Sequence, residues 1–209
     1  DVMFLEAMKF FPDGKQYPMG DGYIADRING CSKTEGMSHL AQLPKFPGSA
    51  CTKLLRRNLL EQNNLYFENG LFSEDIEWTI RLLKVTQVFA YCDVMYYFYR
   101  QSRAGSITNT ANIKNVESIL STIEKWSSVD LSIPYQKEIN SFLAYEYIVV
   151  LFNYANLNKR EKHGVYERIK NLRWITQFGI SKKEKIVYFT MSMFGISITA
   201  FLLKLYRTE

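Results

Sequence analysis

The run IVYFTMSMFGISITAFLL, residues 186–203, holds eighteen residues without a charge, with Lys182, Lys183 and Lys185 before it and Lys204 and Arg207 after it. A segment this apolar must be hidden from water, and at this length it is the shortest credible membrane span. Three features weigh against a simple span. Thr190, Ser192, Ser197 and Thr199 recur at a spacing of seven, Gly195 weakens the helix interior, and basic residues at both ends leave no inside–outside asymmetry. An amphipathic helix over 182–206, lying in an anionic membrane surface with its lysines on headgroups, fits better. Burial against other helices or a second copy of the chain, and a true span, stay open as alternatives.

This segment closes a region with helical spacing throughout. Helices are predicted at 112–126, at 135–154 after Pro134, which suits a first helical turn, at 162–178 and at 182–206. Residues 1–110 have a different texture. Turn signals at PDGK, MGDG and LPKFPGSA break the first fifty residues into short strands and loops, with a short helix at 38–43. KLLRRNLLEQ, residues 53–62, reads as a helix and NLYFENG as an extended segment closed by Gly70. A second helix starts at Ser73, and VTQVFAYCDVMYYFYR, residues 85–100, reads as one strand or a bent pair. An organisational boundary is therefore placed near residue 110, dividing the chain into 1–110 and 111–209.

Composition narrows the function classes. An aromatic fraction of 15% excludes disorder, and a net charge of +5 suits a nucleotide diphosphate, an anionic membrane or nucleic acid. Nucleic acid is set aside because lysines and arginines are spread along the chain instead of lining one basic and aromatic face. Cys31, Cys51 and Cys92 are odd in number and far apart, which fits reduced thiols better than a disulfide framework. With His39 and His163 they make no metal-ligand spacing, so no metal site is expected within the chain.

In LFSEDIEWTIRLL, residues 71–83, two adjacent acids, Glu74 and Asp75, stand at the expected first turn of a helix. Ser73 is a plausible N-cap, and acids just after it are favoured by the helix dipole without any function. Three neighbours favour chemistry: an aromatic-rich turn before the acids, the Ile76, Ile80 and Leu83 face that can anchor the helix rigidly, and a basic loop some 25 residues on. Neighbouring helical residues point about 100° apart, whereas a hydrolytic carboxylate pair must face each other across one bond. The better geometry is one carboxylate fixing the turn and one facing a cavity as a general base. In the loop YRQSRAGSIT, residues 99–108, Arg100, Arg103, Ser106 and Thr108 with Gly105 are what a diphosphate leaving group needs for charge stabilisation. A solvated basic loop is the alternative, since no phosphate-loop or dinucleotide glycine fingerprint is present.

Taken in order, PGSACTKLLRRNLL, YFENGLFSEDIEWTIRLL and YYFYRQSRAGSIT resemble the second half of the GT-A catalytic domain of glycosyltransferase family 2, as found in bacterial capsule, O-antigen and exopolysaccharide assembly. The resemblance covers residues 1–110. It implies an α/β fold, an incomplete GT-A (Rossmann-like) half with a mixed sheet, followed by a mainly helical C-terminal region. It also implies a bacterial transferase that moves a sugar from a nucleotide-sugar donor to a glycan or lipid-linked acceptor with inversion. On that pattern Asp75 deprotonates the acceptor hydroxyl beside Glu74, Arg100, Arg103 and Ser106 close over the donor diphosphate, and Lys53 supports the acceptor side. Trp78 is the aromatic placed nearest an acceptor site, with a core role as the alternative; Trp126 and Trp174 read as core or interface anchors.

Family members hold a divalent Mg or Mn ion with an Asp-x-Asp motif, and none occurs in residues 1–209. The stretch opening at Asp1, with no initiator Met or signal peptide, is thus expected to be a piece of a longer protein whose donor half and metal ligands lie upstream. Alone it is expected neither to bind nucleotide sugar tightly nor to turn over. The helical region resembles tails that seat such enzymes on the cytoplasmic face of the cell membrane or pair them as homo-oligomers. The rival class is a membrane-surface binding or scaffold module in which Glu74 and Asp75 only start a helix.

Overall fold

One strand, β1 (Val2–Phe10), organises the sheet of the first part of the chain. In the computed structural model, which describes residues 1–102 and 113–206, β4 (Phe89–Arg100) runs parallel to β1 along its whole length, from Val2 opposite Phe89 to Phe10 opposite Arg100. The other edge is shared by two short antiparallel strands. β3 (Lys53–Leu55) pairs with Val2, Met3 and Phe4, and β2 (Gln16–Pro18) pairs with Met8, Lys9 and Phe10. The result is a four-stranded mixed sheet in an α/β arrangement. Register shifts on either side of Glu6 absorb the extra residues of β4, so the strand expected over 85–100 is one irregular strand that starts at Phe89, with Val85 closing the helix before it.

Alternation along β1 buries Val2 and Phe4 on one face, and Leu5 and Ala7, of the opposite parity, are buried as well. Phe4 stacks on Tyr23 at 5.4 Å between ring centres. Over this core lie α1 (Lys33–Gln42), through Met37 and Leu40, and α3 (Glu74–Val85), through Ile80, Leu82 and Leu83. The helix expected at 38–43 begins earlier because SKTE forms a capping box: the Ser32 hydroxyl accepts from the Glu35 N–H, and the Glu35 carboxylate accepts from the Ser32 N–H.

The helix expected over 53–62 is corrected. Lys53, Leu54 and Leu55 complete the edge of β1, and only α2 (Arg57–Gln62) is helical. Leucine spacing alone did not separate a three-residue edge strand from a helical turn, and the free edge of β1 decided the matter.

Among the described residues, Asp1–Asn69 with 74–102 form one unit and Gly70–Ser73 with 113–206 form another. The second unit is built around α5 (Gln136–Asn156), which packs on α4 (Ile113–Trp126), on a 3-10 segment (Arg173–Phe178) and on α7 (Lys182–Tyr206). Val116, Ile119, Leu120 and Ile123 make the buried stripe of α4 at helical spacing. Tyr147, fully buried on α5, donates to the Ile169 carbonyl of α6 (Lys159–Leu172) at 2.7 Å. Gly70–Ser73 join this unit through the Phe72 N–H on Ser118 Oγ and the Ser73 hydroxyl on Asn115 Oδ1. The helix expected over 162–178 starts three residues earlier, where Asn158 and Glu161 form a second capping box, and tightens to 3-10 after Leu172.

The single helix expected over 182–206 is also corrected. Gly195 sits at φ 77°, ψ 178°, outside helical geometry, and the two limbs meet in reverse order around an apolar cleft of about 290 Å³. Lys183 faces Tyr206, its ammonium 5.1 Å from the ring centre, while Val187 lines the cleft with Leu202 and Thr190 with Thr199. A straight helix would hold positions 183 and 206 about 34 Å apart. α7 is therefore a helical hairpin closed at Gly195.

Candidate functional site

Asp75 stands in the first turn of α3 and is half-buried. Its Oδ2 accepts the Ala50 N–H at 3.2 Å, and one turn further along the helix the Thr79 hydroxyl donates to the Gly48 carbonyl at 2.7 Å. Residues four apart share a helix face, so α3 holds the PGSACTK turn by two points. A third point comes from Lys53, whose ammonium donates to the carbonyls of Pro47 and Ser49 and lies 5.7 Å from the Phe4 ring centre.

Lys53 is buried, and burial pushes its pKa down to about 7 against the opposing pull of Asp75 and of Asp21. Asp21 is itself buried, 3.8 Å from Lys45 Nζ. With both carbonyls satisfied by its ammonium, Lys53 positions the turn from inside. β4 contributes from the strand side. Alternation sends Tyr97 and Tyr99 to one face, their rings stacked at 6.3 Å. The Tyr97 hydroxyl bonds the Cys51 thiol, which raises its pKa, and the charge of Asp75 adds in the same direction.

Lys53 and Asp75, chosen on sequence, thus converge on one turn. Glu74 occupies the preceding position of α3 and is half-buried. Ser73 is not in the extended conformation of an ordinary N-cap: its φ is 54° and its hydroxyl donates to Asn115. Trp78 is buried, 4% exposed, with its indole N–H on the Leu65 carbonyl at 3.0 Å and Phe67 against its ring. That placement gives it the core role, with little ring face left open to a sugar. Arg100 is exposed at the end of β4, and Arg103 and Ser106 lie outside the described residues.

Thr79, Tyr97 and Asp21 were not singled out from the sequence, and Cys51 was read only as a reduced thiol. The four-residue spacing of Asp75 and Thr79 and the alternation of Tyr97 and Tyr99 were readable, but their common target, the turn at 47–53, was not. Among the described residues no group of three or more His, Cys, Asp or Glu side chains could hold a metal ion. Chemically, the arrangement offers a half-exposed carboxylate fixed by one backbone N–H on a rigid helix, where it can take a proton from a neighbouring hydroxyl. No protein-family model, curated protein or solved structure matches the chain.

Proposed function

We propose that this chain is the acceptor side of an inverting GT-A glycosyltransferase of family 2, with Asp75 as its general base. The observation that carries the reading is the three-point grip on the 47–53 turn, whose Ala50 N–H holds the half-buried Asp75 carboxylate. In the reaction the acceptor hydroxyl gives its proton to Asp75 as its oxygen bonds to the anomeric carbon. The bond from that carbon to the diphosphate oxygen breaks on the opposite face, and the nucleoside diphosphate leaves with the electron pair.

The donor is a nucleotide-activated hexose or its N-acetyl derivative, and the acceptor a growing, lipid-linked glycan of a bacterial surface polysaccharide. Arg100, with Arg103 and Ser106 after it, is assigned to the diphosphate. Recognition of the nucleotide, and the divalent Mg or Mn ion of such enzymes, is assigned to residues outside this chain. Among the described residues no group of three or more His, Cys, Asp or Glu side chains could hold that ion.

The test is Asp75→Asn in the complete reading frame, assayed for transfer from radiolabelled uridine and guanosine diphosphate sugars to extracted lipid-linked acceptor. Transfer is expected to fall by at least about 10²-fold. Circular dichroism should be unchanged, since Asn keeps an oxygen for the Ala50 N–H. Undiminished transfer would overturn the assignment and leave Glu74 and Asp75 as the start of a helix in a binding module.

A further inference from the structure

The helical unit holds a second cleft, and this one is polar. It encloses about 280 Å³ between the 3-10 segment Arg173–Phe178 and the first limb of α7, before Gly195. Arg173, Trp174 and Gln177 line it from one side, and Tyr188, Met191 and Ser192 from the other. The local geometry explains the grouping. Side chains three apart eclipse in a 3-10 helix, which sets Gln177 over Trp174, and residues three and four apart share one face of an α-helix, which gathers Tyr188, Met191 and Ser192.

Both sides are fixed from within. The buried Thr176 donates its hydroxyl to the Arg173 carbonyl at 2.7 Å, and the buried Met191 has its sulfur 3.9 Å from the Tyr147 hydroxyl that is bound to Ile169. Trp174 is half-buried, its ring nearly perpendicular to that of Phe178 with 6.0 Å between centres, and Tyr188 is 46% exposed. Arg173 carries the only charge in the lining. Its guanidinium is exposed, and among the described residues no carboxylate forms an ion pair with it. Glu184, one turn before Tyr188 on α7, spends its carboxylate on the N–H groups of Ile180 and Ser181, and Lys185 beside it is exposed. The cleft therefore combines an unpaired guanidinium, two aromatic side chains and neutral polar groups.

We propose that this cleft binds one hexuronic acid unit of a glycan, with the sugar carboxylate on Arg173. A guanidinium presents paired N–H donors that match a carboxylate, and with no acid in the lining nothing in the cleft competes for them. The C–H groups of a pyranose ring carry slight positive charge and pack on the negative faces of aromatic rings, which Trp174 and Tyr188 supply. The sugar hydroxyls meet the Gln177 amide, which donates and accepts, and the Ser192 oxygen, which is left to accept because its proton goes to the Tyr188 carbonyl at 2.8 Å. The volume lies at the small end for ligand cavities and suits one ring with its substituents, not a base, ribose and phosphate together. This proposal does not rest on the role of Asp75, since a transferase and a binding module could both hold a glycan here.

The experiment titrates the whole chain with galacturonate, galactose, acetate and trigalacturonate, followed by saturation-transfer NMR. Galacturonate should bind at least about tenfold more tightly than galactose or acetate, since it alone offers both the charge and the ring. Trigalacturonate should bind at least as well as the free acid. Arg173→Gln, at an exposed position, should remove the preference for galacturonate over galactose, and Arg173→Lys should keep part of it. Tyr188→Ala should weaken both sugars severalfold with circular dichroism unchanged. Equal binding of galactose and galacturonate, or an unaltered preference in Arg173→Gln, would overturn the assignment of the carboxylate to Arg173. Acetate binding as well as galacturonate would reduce the cleft to a plain anion site and overturn the sugar. Free acid that binds where the trimer does not would overturn the glycan unit in favour of a small metabolite. A chain that binds none of the four up to about 20 mM would sink the proposal altogether.

Discussion

Asp75 and Lys53 grip the same turn: the Lys53 ammonium through the carbonyls of Pro47 and Ser49, and the Asp75 carboxylate through the Ala50 N–H that follows. The buried ammonium and the half-exposed carboxylate are thereby coupled, since each fixes the backbone that the other needs.

This coupling has a pH signature. Lys53 titrates at about 7 in the folded chain because it is buried, and near about 10.4 when unfolded. Between those values the unfolded state holds the extra proton, so this group makes stability rise with pH from about 7 toward 10 and contributes no slope below 7. Urea unfolding at about pH 6.5, 8 and 9.5 should show the rise in wild type and its loss in Lys53→Met. At about pH 9.5, where the wild-type amine has shed its charge, the variant should be weaker by about 1–3 kcal/mol, from the carbonyls left without a donor, and toward about pH 6.5 the gap should narrow or reverse, because methionine buries no charge. The same slope in both proteins would refute the burial.

Trp78 should behave as an anchor. Trp78→Phe keeps the ring but strands the Leu65 carbonyl, and is expected to cost about 1–3 kcal/mol in chemical denaturation. Trp78→Ala should cost about 3–5 kcal/mol. A change within about 0.5 kcal/mol for the alanine variant would show that the indole is not in the core.

Gly36 of α1 lies against Phe89 of β4, where an added Cβ would meet Phe89 Cδ2 at 2.7 Å. Alanine gains up to about 1 kcal/mol of helix propensity but overpacks this contact by about 1–3 kcal/mol. The expected outcome for Gly36→Ala is a lower Tm, restored in part by adding Phe89→Leu. A raised Tm would show that the contact yields freely.

At Gly195 the constraint is in the backbone, since no heavy atom lies within 4 Å of an added Cβ and φ is 77°. Gly195→Ala strains the reversal by about 1–3 kcal/mol and favours a continuous helix. Spin labels at 185 and 204 should report a short separation in wild type and a population near about 28 Å in the variant. Identical distance distributions would show that the reversal does not depend on glycine.

Much of the fold was legible because local chemistry and final structure agree. The buried stripe of α4, the acids that open α3 and the β-branched and aromatic run of β4 each carry their own period or charge signal. The start of α1 was missed by the expectation of a helix at 38–43, although SKTE carries a capping signature in four letters. Of the candidate site, Asp75 and Lys53 were legible as residue types but not as partners, because 21 intervening residues say nothing about which turn they share.

What the sequence determined by itself is the division between a strand-bearing first part and a helical remainder, and an apolar segment that has to be covered. Period, capping and hydropathy act over a few residues and need no partner. Tertiary structure alone decided that Lys53–Leu55 is a strand, because only the free edge of β1 offers those backbone groups their hydrogen bonds. It alone decided that Trp78 faces Leu65, because burial depends on what lies opposite. And it alone turned α7 back at Gly195, gathering on one end the lysines that the sequence sets on two.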